Sequence, residues 1–217
     1  MSLTDAQWAR IEPLLPDWAP RRGGRWRDHR QVIDAIACKY RTGTPWMDLP
    51  EHFGSWKGAH NRLRMWAADG IWEKVFTALL AQADAEGDLD WVVAVDSTIV
   101  RAHQHAAEAR EKGPRPASRL IMPRGGLTTK IHLAADSRCR PLAFVLTPGQ
   151  AGDAPAFEQV MARLRVPRQI GRPPAFDREA YKQRNTVERC INKLKQWRVL
   201  ATRYDCEDVR VSLRAVA

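Results

Sequence analysis

The sequence has few cysteines and no long apolar run. No CxxC pair occurs, which argues against a zinc ribbon or a disulfide framework and is typical of a reducing cytoplasm. No stretch approaches the roughly 18 apolar residues of a membrane span, and no basic segment followed by an apolar segment opens the chain. We therefore predict a cytoplasmic protein without a membrane segment or a secretion signal. The isolated cysteines are Cys38, Cys139, Cys190 and Cys206.

Positive charge is abundant and unevenly placed. The 217 residues carry 35 Lys and Arg against 25 Asp and Glu, a formal net charge of +10, and 44% of them are hydrophobic, enough to bury a core. Residues 1–90 hold 12 basic and 13 acidic side chains, so the excess lies in residues 91–217. A strongly basic segment indicates a polyanionic partner, and we expect this partner to be nucleic acid. A solvated basic surface or an acidic protein partner stays open at this point.

The N-terminal part has the periodicity of helices. Thr4 to Gln7 matches a capping box, and apolar stripes predict further helices within residues 32–42, from Ser55 to Trp66, and from Ile71 to Ala83. Between the second and third helices lies a turn-rich segment, residues 44–54. A helix, a turn and a helix with a basic polar face are the plan of a helix-turn-helix DNA reader, while an ordinary helical bundle is the alternative.

The predicted DNA contacts lie on the third helix and in a basic loop. Ala59, Leu63 and Trp66 form the apolar face of that helix, and polar side chains lie mainly on the other face. The loop RRGGRWRDHR (21–30) either contacts phosphate or is simply solvated. The predicted DNA-binding residues here are Lys57, Asn61, Arg62, Arg64, Arg21, Arg22 and Arg25.

The second part of the chain predicts a sheet. WVVAV (91–95) is a continuous apolar run that ends at Asp96, as in a strand covered on both faces. Segments 126–136 and 140–149 alternate as two more strands joined by a turn at Ser137–Cys139, and residues 101–125 predict an irregular loop. Asp153 is a plausible N-cap for a following helix. The expected fold class is α+β or α/β, with a helical N-terminal domain.

An acid at the end of a buried strand needs a partner or a metal ion. Asp96 either caps a turn at Ser97–Thr98 or takes part in a site with the last helix, which Asp177 can cap and which extends from Tyr181 to Trp197. On that helix four polar residues share an arc of roughly 60°, beside an apolar arc that binds the sheet. Glu188 is either a metal ligand near Asp96 or the partner of Arg184 in an exposed ion pair. The polar residues are Tyr181, Arg184, Glu188 and Lys195, and the apolar ones Val187, Ile191 and Leu194.

These residues carry a resemblance to a known family. The spacing Tyr181-x2-Arg184-x3-Glu188-x6-Lys195 resembles the tyrosine–arginine–glutamate–lysine signature of DDE transposases from bacterial insertion sequences. VDSTIVRAHQH (95–105) resembles the family strand with its first catalytic aspartate, which maps to Asp96. The resemblance extends from about residue 3 to Asp205 and includes segments 41–66, 124–132 and 146–153.

The resemblance implies an RNase H-like catalytic domain and DNA transposition chemistry. In such domains two divalent ions, Mg²⁺ or Mn²⁺, lie between three carboxylates and activate water and then a DNA 3′-hydroxyl for attack on phosphodiester bonds. Asp96 and Glu188 would be metal ligands, Arg184 and Lys195 would hold phosphate, and Tyr181 would orient the strand or a water. The implied partners are double-stranded DNA, as terminal inverted repeats and target, and a second copy in a homodimer on DNA. Lys130 is a further predicted DNA contact.

The sequence departs from the family where the second catalytic aspartate belongs. Asp136 falls in a turn, Asp153 at a helix start and Asp177 in the segment that caps the last helix. Residues 165–177 are too few for the missing strand, helix and strand, because one βαβ unit takes about 30 residues. We therefore predict an internal deletion, an incomplete RNase H-like domain and a protein without strand-transfer activity.

The predicted organisation is a helical DNA-binding domain (1–83), an acidic linker (84–90), a partial RNase H-like domain (91–205) and an atypical tail (206–217), which we expect to be frameshifted or truncated. Two other functions remain open. One is a truncated regulator or inhibitor that binds DNA without cutting it, and the other is an RNase H-like nuclease outside transposition. We expect the protein at the nucleoid.

Overall fold

The computed structural model describes residues 2–17, 27–101, 128–164 and 185–197. Within these ranges, four helices precede a three-stranded sheet and two further helices follow it. The predicted α+β class is confirmed: a helical N-terminal region is followed by a small antiparallel sheet. The elements are α1 (Asp5–Ile11), α2 (His29–Thr42), α3 (Trp56–Ala68), α4 (Ile71–Ala85), β1 (Ala94–Arg101), β2 (Thr128–Ala135), β3 (Pro141–Pro148), α5 (Asp153–Arg163) and α6 (Asn185–Lys195).

The ends of the first helices follow local sequence signals. The Thr4 hydroxyl accepts from the Gln7 amide at 3.3 Å, and the Gln7 side chain accepts from the Thr4 amide at 3.0 Å, which confirms the capping box. α2 ends at Gly43, which takes the left-handed conformation with φ of 73°. Short 3₁₀ turns extend α1 (Glu12–Leu14) and lie in the connection to α3, at Trp46–Asp48 and Glu51–Phe53.

The apolar stripes of α2, α3 and α4 meet in one core. Trp66 of α3 and Trp72 of α4 lie edge to face, with ring centroids 5.4 Å apart, and the Trp72 indole donates to the Leu63 carbonyl at 3.3 Å. Partly buried side chains of α1 close the core from outside. The buried members are Val32, Ile33, Ile36, Tyr40, Leu63, Trp66 and Trp72. The predicted helices and their buried faces are therefore confirmed, with the exception of Arg62 described below.

Gly54 lies where the α2–α3 connection passes close to the side chain of Arg27. The φ of Gly54 is +67°, and a Cβ there would lie 1.5 Å from Arg27 Nη2. The other terminal nitrogen of Arg27 donates to the Ser55 carbonyl at 3.1 Å. The guanidinium thus occupies the space that any side chain at position 54 would need.

Gly54→Ala is expected to lower the free energy of unfolding by about 2 kcal/mol, because the left-handed backbone and the displaced guanidinium both cost free energy. Urea unfolding checks this. Gly87→Ala is the matched control, since Gly87 has φ of +72° and nothing within 4 Å of the added Cβ. The control should lose only about 1 kcal/mol; equal losses in the two variants would show that Arg27 contributes nothing.

The described strands form one antiparallel sheet in the order β1-β2-β3. Ser97 of β1 pairs with His132 of β2, which pairs with Val145 of β3. The second and third strands and their turn are confirmed. The first strand is not residues 91–95 but Ala94–Arg101, and Asp96 lies inside it rather than at its end.

The apolar run before β1 serves a different purpose. The Trp91 indole donates to Asp84 at 2.7 Å, and the side chains of Trp91 and Val93 pack with α4 and β3. These residues therefore fill the space between the helices and the sheet instead of pairing in it. An apolar run indicates burial but not strand pairing, which is why the predicted strand began three residues too early and ended six residues too early.

Of the described helices, one packs on each face of the sheet. α5 packs on the face of Ala134, Ala143 and Val145 through Val160. α6 packs on the opposite face through Cys190 and Ile191. The N-cap of α5 is Gly152, so the prediction that Asp153 caps this helix is wrong; Asp153 is its first residue.

Several predictions concern residues outside the described ranges. These residues are most of the predicted loop 101–125, the segment 165–184 with Asp177, and the tail from residue 198. Arg101, the first residue of the predicted loop, is described and belongs to β1. Among the described residues, no helix is long and apolar enough to span a membrane.

Candidate functional site

Asp96 lies on the face of the sheet that α6 covers. Side chains alternate between the two faces of a strand, and Ala94 and Val100, which share the parity of Asp96, pack in the cluster with α6. Asp96 is half-buried, and its Oδ1 accepts from the Ser97 amide at 2.7 Å. Since Ser97 and Thr98 continue the strand, the interpretation of Asp96 as the cap of a turn is wrong.

Glu188 lies on the helix that packs on this face. α6 contacts β1 and β2, with Cys190 and Ile191 buried and Leu194 packed against the same cluster. Glu188 itself is exposed, in the first turn of the helix as described. Ile191 follows it by three residues, which places Glu188 beside the buried face rather than opposite to it. Asp96 and Glu188 are thus carried by two elements in contact.

The other members of the predicted signature are described only in part. Lys195 is exposed in the last turn of α6. Tyr181 and Arg184 lie outside the described residues, and so does the side chain of Val187. Ile191 is buried and Leu194 is partly buried against the same cluster, in agreement with the predicted apolar arc.

The two carboxylates at this face, Asp96 and Glu188, are donors of the kind that Mg²⁺ binds. They are too few to hold two ions. Carboxylate oxygens are the ligands that Mg²⁺ takes from proteins, commonly one or two of them with waters and phosphate completing the shell. Within the described ranges, no group of three or more His, Cys, Asp or Glu side chains is placed to hold a metal ion. Asp96 and Glu188 alone therefore suit one ion and not a two-ion clamp.

A polar cluster lies on the opposite face, where α5 begins. Asp153 Oδ1 lies 2.7 Å from Ser97 Oγ, 2.8 Å from Lys130 Nζ and 3.4 Å from His132 Nδ1. His132 Nε2 lies 2.8 Å from the Thr147 hydroxyl, and Lys130 also donates to the Ala151 carbonyl at 3.1 Å. We call these five side chains the Asp153 cluster; it connects all three strands with α5.

The Asp153 cluster changes the interpretation of Lys130. Its side chain is only 15% exposed and is paired with Asp153. The role of Lys130 as a DNA contact stays a prediction, and it would require this ion pair to break. Asp153 contacts residues on the α5 face of the sheet, so its carboxylate lies away from the face that carries Asp96.

Sequence reasoning missed the Asp153 cluster. One signal was available: Lys130 and His132 are two residues apart in a strand, so they share a face. Their contact with Ser97 and Asp153 depends on strand register, which local patterns do not define. The cluster is a consequence of tertiary structure.

The environment of the cluster shifts two pKa values downward. Burial lowers the pKa of His132, with Lys130 contributing, although Asp153 opposes the shift. Hydrogen bonds from Lys130 and Ser97 lower the pKa of Asp153. In both cases the folded protein binds fewer protons than the unfolded chain, so stability is lost on acidification.

Unfolding free energy is therefore expected to fall as the pH drops below about 6.5, the unfolded value for histidine, towards the lowered pKa of His132. The loss from Asp153 begins only below its ordinary value. His132→Gln should flatten the decline between about pH 6.5 and 5 in urea unfolding. The control is His52→Gln at an exposed site, which should keep the decline of the unmodified chain. Equal slopes in the two variants would contradict the assignment.

The polar face of α3 is smaller than predicted. Lys57, Asn61 and Arg64 are exposed, but Arg62 is only 8% exposed, so its placement on the outer face is wrong. Its guanidinium lies over the Trp66 ring, 5.5 Å from the centroid, and burial lowers its pKa. The long aliphatic stem lets an arginine pack against an aromatic ring with its charge retained. Arg21, Arg22 and Arg25 lie outside the described residues.

Two family models match the chain. One describes transposases of the IS4/5 family and matches residues 3–76, and the other describes the transposase DDE domain and matches residues 87–174. The second match includes Asp96 and ends before Glu188. DDE domains depend in general on divalent metal ions, in keeping with the carboxylate at Asp96.

The chain is also similar to known proteins. The uncharacterized protein y4sN of Sinorhizobium fredii is 39% identical over 114 residues, which cover 52% of this chain and 87% of that protein. The insertion element IS402 uncharacterized 16.2 kDa protein of Burkholderia cepacia is 37% identical over 107 residues, covering 46% of this chain and 73% of that protein.

Among solved structures, the Mos1 transposase paired-end complex with left transposon end covers 98% of this chain and 77% of that chain, with 14% identity and a TM-score of 0.28. That TM-score is too low to establish a shared fold. The sequence matches are decisive, because the helical part and the sheet part each match a transposase model and both relatives are matched over most of their length. The chain belongs to the IS4/5 family of transposases.

Proposed function

We propose that this transposase-family protein binds the double-stranded DNA of insertion-element ends through its helical region and has lost efficient DNA cleavage. The observation that carries the proposal is the position of Asp96, which lies in the part matched by the DDE domain and faces the helix that bears Glu188. The predicted domain boundaries, the RNase H-like fold of the partial domain and the homodimer on DNA belong to the same proposal, as does a nucleoid location.

The chemistry would centre on Asp96 and Glu188. A bound Mg²⁺ or Mn²⁺ would supply Lewis acidity at a DNA phosphodiester. The Ser97 amide holds Asp96 Oδ1 at 2.7 Å and so restricts rotation of the carboxylate. Lys195, exposed two helical turns beyond Glu188, would attract the phosphate backbone, and Arg184 and Tyr181 are assigned by the signature to phosphate and to strand orientation.

The proposed loss of cleavage rests on the third carboxylate, which none of the described residues supplies at this face. The family resemblance implies two metal ions held by three acids, and we expect residues 165–177 to be too few for the strand, helix and strand that would bring the third, because one βαβ unit takes about 30 residues. Asp136 and Asp153 do not replace it: Asp136 is buried in the β2–β3 turn, and Asp153 is engaged on the other face.

The DNA-binding surface would be the exposed face of α3 with the basic loop before α2. Lys57 and Arg64 are exposed cations, and Asn61 between them offers an amide that suits base edges. The connection between α2 and α3 covers residues 43–55, longer than the three- or four-residue turn of a compact helix-turn-helix. The proposed domain is therefore helix-turn-helix-like, with an extended turn.

Gel-shift titration of the full chain with the element's terminal inverted repeats tests the proposal. Lys57→Ala and Arg64→Ala should each weaken binding and reduce the slope of log K against log salt by about 1, because each removes one phosphate contact. Lys74→Ala, which removes an exposed cation from α4, should leave the slope unchanged. Unchanged slopes in all three variants would contradict the assigned surface, and absence of any shift would contradict DNA binding.

The alternative function is a regulator or inhibitor of transposition. A chain that occupies the inverted repeats without cutting them would compete with an intact transposase for the same ends. The two functions are separated by adding this chain to an intact family member: a regulator lowers its cleavage in proportion to end occupancy, whereas a protein with residual activity adds its own products.

A further inference from the structure

The Asp153 cluster and Asp96 meet at Ser97. The Ser97 hydroxyl lies 2.7 Å from Asp153 Oδ1 on the α5 face of the sheet. The amide of the same residue donates to Asp96 Oδ1, also at 2.7 Å. The Ser97 hydroxyl is therefore bound on the α5 face of the sheet. The Ser97 amide in turn binds the carboxylate of Asp96, which lies on the α6 face.

Asp153 is fixed by more than Ser97. Lys130 and His132, both from β2, approach the same oxygen, and His132 is 2% exposed. A neutral imidazole with its proton on Nδ1 satisfies both of its contacts, because Nδ1 then donates to Asp153 and Nε2 accepts from the Thr147 hydroxyl. The carboxylate that contacts Ser97 is thus tied to the two strands beyond β1.

We infer that Asp153 is a positioning residue for Asp96, acting through Ser97. This inference rests on the proposed role of Asp96 as a metal ligand. A carboxylate ligand binds metal well only when its rotamer is restrained by hydrogen bonds outside the coordination shell. The Asp153 carboxylate is 66% exposed; the sequence placed it at a helix start and not among the metal ligands, and the geometry gives it this supporting role.

The first test measures the position of Ser97 without metal. Amide hydrogen exchange by NMR on the full chain should show exchange at Ser97 about tenfold faster in Asp153→Ala, with the Ile99 amide of the same strand as the internal reference. Glu158→Ala, which removes an exposed carboxylate from α5, is the matched control and should change neither amide. An unchanged Ser97, or equal acceleration at Ser97 and Ile99, would overturn the inference, because the second result describes general loosening of the strand.

The second test measures Mn²⁺ binding by electron paramagnetic resonance. Asp153→Ala and Ser97→Ala should each weaken binding by about tenfold, and the double variant should be no weaker than either. Ser97→Thr keeps the hydroxyl and should bind like the unmodified chain. Thermal unfolding of each variant defines a temperature at which all are folded. Normal Mn²⁺ affinity in a folded Asp153→Ala variant would overturn the inference.

Asp96→Asn separates this inference from the proposed function. If that variant binds Mn²⁺ as the unmodified chain does, the metal role of Asp96 fails, while the hydrogen-exchange result still decides whether Asp153 holds Ser97. If Asp96→Asn loses Mn²⁺ and Asp153→Ala does not, the proposed metal site stands and the positioning role is refuted.

Discussion

Asp136→Ala is expected to lower the free energy of unfolding by about 3 to 5 kcal/mol, more than any other single change to the sheet considered above. Asp136 is fully buried where β2 turns into β3. Its Oδ1 accepts from the Arg138 amide at 2.9 Å and from the Arg140 amide at 2.7 Å, and Arg140 Nε lies 3.3 Å from Oδ2. Alanine would leave both amides without their acceptor in a turn that also holds Cys139 at a φ of 65°.

Urea unfolding of two control variants distinguishes this anchoring role from simple charge. Asp136→Asn keeps an oxygen acceptor for the two amides and should lose about half as much as alanine. Asp88→Ala removes an exposed carboxylate, 51% accessible, that lies 3.5 Å from Arg138 and 3.9 Å from Arg140. That variant should lose less than about 1 kcal/mol, as exposed ion pairs do. A loss for Asp136→Ala no larger than that of Asp88→Ala would refute the anchoring role.

Local sequence was sufficient where a structural signal is local. The capping box at Thr4, the end of α2 at Thr42 and the apolar stripes of α2 and α3 were all predicted correctly, because each depends on residues within one or two helical turns. The β2–β3 hairpin was predicted for the same reason, since its turn and its alternation lie in one continuous segment.

The errors share a physical cause. The run WVVAV predicts burial correctly but not its mode, since Trp91 and Val93 fill a helix–sheet interface. Arg62 has a charge that favours solvent, yet its stem and its guanidinium pack on Trp66. In both cases, tertiary packing uses an apolar or amphipathic side chain in a way that residue type alone leaves open.

The candidate site shows the same division. The spacing of Glu188 and Lys195 along one helix is readable from sequence, and so is the apolar arc at Ile191 and Leu194 that contacts the sheet. The contact of Ser97 with Asp153 required the register of β1 on β2 and the packing of α5. Asp153, which the sequence predicted only as a helix cap, is therefore part of a structural network in the fold.

DNA cleavage by this chain with Mg²⁺ is expected to be at least about 1,000-fold slower than cleavage by an intact IS4/5-family transposase acting on its own ends. In a two-ion site the second ion would stabilise charge on the attacking and leaving oxygens by several kcal/mol, and each 1.4 kcal/mol corresponds to a factor of ten in rate. In the proposed site Asp96 and Glu188 would supply donors for one ion only, and the described residues contain no cluster of three potential ligands. The proposed binding to the ends is assigned to α3 and should persist.

The measurement is a time course of cleavage on end DNA with Mg²⁺, with Mn²⁺ and with chelator, alongside a gel shift at the same protein concentration. Asp96→Ala should leave the shift intact and remove only the residual, metal-dependent product, because its carboxylate lies on the α6 face of the sheet and not on α3. Efficient Mg²⁺-dependent cleavage that Asp96→Ala abolishes would falsify the inactive state and would require a third carboxylate from outside the described residues. Residual cleavage that Asp96→Ala does not change would place the chemistry elsewhere and leave end binding as the function of the chain.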